Sequence, residues 1–178
     1  EKARGARFLH LATHGYFTSE AAVPTAPAVG RRSSGLGRAV TELSPMALCG
    51  LALAGAQRGA DALGHVPGIL TAEELAGLDL SRCEMAVLSA CETNVGVARA
   101  GLGIQSLQSA LHAAGARTAI TSLWKVDDAR ARELMEDFYT RVWIGKEPKA
   151  TALWNAKTSL RKKGAPTRDW AGWILTGS

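Results

Sequence analysis

Apolar residues fall into short runs separated by polar, glycine-bearing segments, and the spacing inside each run separates strand from helix. Arg7 to Thr13 (Arg-Phe-Leu-His-Leu-Ala-Thr) is apolar on both sides and predicts a strand ending at His14-Gly15. Glu84 to Ser89, with Met85-Ala86-Val87-Leu88 as its buried centre, predicts another that stops at Ala90-Cys91-Glu92. Arg117 to Trp124 predicts a third, because Thr118, Ile120 and Thr121 favour extended backbone. Leu43 to Ala54 reads as one strand or a tight pair, and Trp170 to Leu175 as a short final strand. Helical spacing appears elsewhere. Ile104, Leu107 and Leu111 lie on one stripe that closes at Gly115, a C-cap. Thr71-Ala72-Glu73-Glu74 is a capping box, which predicts a short helix from Ala72 to about Ala76. Asp127-Asp128 opens a helix to about Trp143, where acids suit the positive N-terminal end, and another helix spans Ala150 to Lys162. Strands alternating with helices predict an α/β sandwich around a mostly parallel sheet.

Three polar stretches interrupt the pattern. Residues 21–38 hold Pro24, Pro27, Gly30, Gly35 and Gly37 and read as a long flexible loop. Residues 57–68 and 94–103 read as shorter ones. No internal repeat is visible.

Composition narrows the class. The 178 residues suit one domain over the whole chain, 47% of them are hydrophobic, and no apolar run approaches the ~20 residues of a membrane span. Glu1-Lys2-Ala3-Arg4 lacks the charged-then-apolar order of a signal peptide, and with no initiator Met the chain reads as a piece of a longer protein. The net charge of +5 comes from small groups such as Arg31-Arg32 and Arg161-Lys162-Lys163. Without interleaved aromatics these describe a solvated face rather than a nucleic-acid surface. Cys49, Cys83 and Cys91 form neither a disulfide scaffold nor a zinc pattern, which points to the reducing cytoplasm and to no metal.

His14 and Cys91 are both placed at the ends of apolar strands, and in open parallel sheets ligand sites form beyond the C-terminal strand ends. If the two strands are neighbours, imidazole and thiol share one rim. A thiol with a pKa of about 8.5 needs such a base to become a nucleophile. The imidazole, near 6.5, can then protonate a leaving amine. Gly15 lets backbone approach a substrate carbonyl, and its N–H with that of Cys91 would form an oxyanion hole. Spacing alone leaves alternatives open. Cys91 also fits a small buried residue and His14 a loop hydrogen-bonder. His10 inside a strand, His112 inside a helix and His65 in a polar loop compete for the partner role, while Cys49 and Cys83 lack a strand-end setting.

Leu11-Ala12-Thr13-His14-Gly15 and Val87-Leu88-Ser89-Ala90-Cys91-Glu92-Thr93 resemble the two active-site blocks of CHAT domains, bacterial relatives of caspases, separases and gingipains. The resemblance continues through Gly50–Gly55, Gly68–Leu80, Gly101–Ile104, Ala114–Arg117, Ser122–Asp128 and the closing Trp170–Gly177. It implies a three-layer caspase–haemoglobinase sandwich and hydrolysis of peptide bonds in a protein or peptide substrate, without cofactor. It gives His14 as base, Cys91 as nucleophile, and the Gly15 and Cys91 amides as oxyanion donors. In caspase relatives the stretch matching Ser122–Asp128 lines the pocket for the residue before the cut. Trp124, Asp127 and Asp128 would then bind substrate, and an aspartate there would favour Arg or Lys; plain helix capping is the competing reading of each aspartate.

Two departures qualify the resemblance. A full caspase-like domain has further strands before the one carrying His14, so the sheet is expected to lack its N-terminal part and expose an edge. The basic loop after His14 is unusually long. CHAT domains commonly follow tetratricopeptide repeats, which implies a repeat region in the same protein that regulates the protease. The alternative function is an inactive caspase-like interaction module. A nucleotide-binding domain is poorly supported, since Gly96, Gly101 and Gly103 fail the G-x-G-x-x-G pattern and no P-loop is present.

Overall fold

Met85, Ala86, Val87 and Leu88 are all buried, yet they face two different cores. Met85 and Val87 pack with one set of residues, Ala86 and Leu88 with another, as the two-residue period of a strand requires. A strand apolar on both faces needs a layer on each side. The computed structural model describes residues 5–17, 46, 49–58, 68–89 and 100–178, and it supplies both layers.

In chain order the elements begin with β1 (Phe8–Leu11), β2 (His14–Phe17), β3 (Cys49–Ala52), β4 (Ile69–Thr71), α1 (Ala72–Ala76) and β5 (Met85–Leu88). There follow α2 (Ala100–Ala113), β6 (Thr118–Ser122), α3 (Asp128–Trp143), α4 (Lys149–Lys162), α5 (Thr167–Trp170) and β7 (Trp173–Gly177). The main sheet runs β1-β5-β6-β7. Its first three strands are parallel and β7 is antiparallel to β6. A second, antiparallel sheet has the order β2-β3-β4. On one face of the main sheet lie α1, α2 and β3, through Leu75, Leu107, Leu111, Cys49 and Leu51. On the other lie α3 and α4, through Leu134, Phe138, Leu153 and Leu160. This is a mixed α/β sandwich with a mostly parallel sheet, as the alternation of elements predicts.

Local chemistry fixes the element ends. Thr71 caps α1 by accepting from the Glu74 N–H at 3.1 Å, while Glu74 accepts from the Thr71 N–H at 2.8 Å. Gly115 closes α2 with φ +106, and a Cβ there would lie 2.9 Å from the Ser81 backbone, so only glycine fits. Helix α3 starts where the two aspartates predict.

Several boundaries differ from the sequence reading. The strand expected over 7–13 ends at Leu11, and His14 opens β2 instead of directly following that strand. The Thr13 hydroxyl donates to the Ala52 carbonyl and passes the chain to the second sheet. Residues 100–103, expected in a loop, begin α2. Glycine costs little in a first turn whose N–H groups lack intrahelical partners. Trp170 ends α5 rather than starting a strand, so the final strand is Trp173–Gly177. The expected loop over 21–38 and His65 lie outside the described residues. Among those residues β1 is an edge strand, and no helix is long and apolar enough to cross a membrane.

Candidate active site

The parallel pairing of β1 with β5 sets Leu11 opposite Leu88, so the segments leaving both strands emerge side by side. His10, Ala12 and His14 occupy alternate positions on one wall of a cavity of about 520 Å³ that Ser89 also lines. The opposite wall is α3, which contributes two stripes at four-residue spacing. Asp128, Arg132 and Glu136 form the polar stripe, and Ala131, Met135 and Tyr139 the apolar one. The cavity therefore lies between the outer side of β1 and the helix packed on that face.

The three described histidines have different surroundings. His112 is held at both ring nitrogens, by the Ala116 carbonyl and the Thr176 hydroxyl, each at 2.9 Å. His10 meets the Tyr139 hydroxyl at 2.8 Å through Nδ1, and burial pulls its pKa below the usual imidazole value. His14 is exposed and makes no side-chain hydrogen bond among the described residues. Of the described histidines it is the one with neither ring nitrogen hydrogen-bonded.

Cys49 and Cys83 are buried, and burial pushes the Cys83 thiol up, away from thiolate chemistry. Cys91 lies outside the described residues; Ser89, two positions earlier, lines the cavity. Gly15 is buried in β2 opposite Leu51. The acidic pair divides. Asp127 is the N-cap of α3, its carboxylate accepting from the Ala129 and Arg130 N–H groups at 3.1 and 3.2 Å. Asp128 is exposed and lines the His14 cavity.

Trp124 stands elsewhere. Its indole N–H donates to the Arg168 carbonyl at 2.6 Å, and its ring covers Gly172 so closely that a Cβ there would lie 2.7 Å away. The structure brings His14 and Asp128 together but neither Asp127 nor Trp124 to this cavity. Sequence reasoning passed over Ser89, Arg132, Glu136 and Tyr139. The four-residue spacing on α3 was visible, but which face meets His14 depends on packing between distant elements. Among the described residues no group of three or more His, Cys, Asp or Glu side chains is placed to hold a metal ion.

A search of curated proteins found no match for the chain. A family model described as the CHAT domain matches residues 1–178, the whole chain. That match, over a mostly parallel sheet carrying His14 at the exit of its edge strand, establishes that the chain belongs to the CHAT-domain family and has its caspase-like fold.

Proposed function

We propose that the chain is a cysteine endopeptidase in which Cys91 is the nucleophile and His14 the general base and acid. The observation that carries this reading is the exposed His14 imidazole in a cavity that Ser89 also lines. Two peptide units separate Ser89 from Cys91, a reach of no more than about 7 Å. The other imidazoles and thiols among the described residues are hydrogen-bonded or buried.

In the proposed reaction His14 takes the Cys91 thiol proton, and the thiolate sulfur bonds to the scissile carbonyl carbon. Negative charge then collects on the carbonyl oxygen, where the Gly15 and Cys91 N–H groups would donate to it. Collapse breaks the C–N bond and His14 returns the proton to the leaving amine. Water, deprotonated by His14, hydrolyses the thioester and regenerates the thiol. The side chain before the cut would enter the cavity, where Asp128 is the carboxylate placed to favour Arg or Lys. Asp127 and Trp124 would support that wall by holding the start of α3 and the turn before it. A repeat region in the same protein would deliver the substrate or regulate the site.

A peptide library incubated with the parent chain and with Cys91→Ala, under reducing conditions and read by mass spectrometry, tests this. Cuts made by the parent should vanish in Cys91→Ala and His14→Ala. They should persist in Cys83→Ala and His112→Ala variants that remain folded. Equal loss in all four folded variants would remove the assignment.

A further inference from the structure

The polar stripe of α3 places a cation of the protein's own inside the proposed specificity cavity. Arg132 follows Asp128 by four residues and precedes Glu136 by four, so all three side chains share one helix face. The Arg132 Nε donates to Glu136 Oε1 at 2.7 Å, with 80% and 64% of the two side chains exposed. An exposed pair of this kind adds little to stability, but it turns the guanidinium toward Glu136 and away from Asp128. Asp128 has no ion pair or side-chain hydrogen bond among the described residues. One carboxylate is therefore matched and the other stands open, with an arginine between them.

We propose that Arg132 is a specificity-determining residue: it engages Glu136, leaves Asp128 as the open carboxylate among the described residues for an incoming guanidinium or ammonium group, and limits how tightly that group is held. This rests on the reading that the cavity takes the side chain before the cut. An entering cation is attracted by Asp128 and repelled by Arg132 about one helical turn, roughly 5–6 Å, away. At that distance, in largely aqueous surroundings, a unit charge shifts affinity by about threefold to tenfold. The apolar stripe of Met135 and Tyr139 offers the stem of a long basic side chain a surface to lie on.

The test separates this inference from catalysis. Butylguanidine and its uncharged analogue butylurea are titrated by NMR into the full chain carrying Cys91→Ala. Adding Arg132→Gln should tighten butylguanidine about threefold to tenfold and leave butylurea unchanged. Asp128→Asn should weaken butylguanidine by a similar factor. Glu136→Gln on top of Arg132→Gln should return the affinity toward that of the unaltered stripe. Equal tightening of both probes, no response to Arg132→Gln, or no butylguanidine binding to any variant overturns the proposal. Failure of the peptidase reading would show separately, as cleavage that does not depend on Cys91.

Discussion

Asp127 and Asp128 are adjacent and chemically identical, but the structure gives them separate tasks. The Asp127 carboxylate is consumed by the first N–H groups of α3, whereas Asp128 faces the cavity. Asparagine caps a helix about as well as aspartate, and alanine costs about 0.5–2 kcal/mol. Asp127→Asn should thus leave urea stability nearly unchanged, while Asp127→Ala lowers it by about 1 kcal/mol. Asp128→Asn should leave stability unchanged and reduce the preference for Arg or Lys before the cut. A stability loss with Asp128→Asn, or a selectivity loss with Asp127→Asn, would reverse the assignment. The same logic sorts the histidines. His112 is fixed at both nitrogens, which leaves neither open to a ligand, and its place inside a helix points the same way.

At the scale of elements, the turn between β6 and α3 is secured by a clamp. Leu123 N–H donates to the Gly172 carbonyl at 2.9 Å, Trp124 donates to the Arg168 carbonyl, and the indole lies close against Gly172. Gly172→Ala should displace the indole and destabilise the fold by about 1–3 kcal/mol in urea unfolding. No change would mean that the ring yields without cost. Elements with strong local signals were legible in the sequence. The capping box, the two aspartates before α3 and the apolar centre of β5 carry their own instructions. What escaped was non-local: β4 and α5 are too short for a periodic pattern. The transfer of His14 to a second sheet depends on the Thr13 bond to Ala52, 39 residues away. The family blocks located His14 and Cys91, but the α3 wall of the cavity could be read only from tertiary packing.

For the whole molecule, the burial of His10 and of Tyr139 makes stability depend on pH at both ends of the range. Burial pushes the Tyr139 hydroxyl up to about 12 from an ordinary value of 10.0, so the folded state holds that proton more tightly than the unfolded chain. Its contribution is complete below pH 10 and is lost as pH rises toward 12. Burial pulls His10 down from 6.5, so its contribution is complete above that pH and is lost as pH falls below it. Urea stability should therefore fall toward acid as His10 takes up its proton and toward alkali as Tyr139 loses its own, and Tyr139→Phe should flatten the alkaline limb. An unchanged limb in that variant would assign the loss to other groups. The join between the two sheets also has a mechanical meaning. His14 is the first residue of the small sheet and follows the last strand residue of the main one by three positions, with Thr13 fastened to β3 between them. The imidazole therefore sits at a short, fastened join between the two sheets. A tilt of one sheet against the other carries it directly, with no slack loop to absorb the movement.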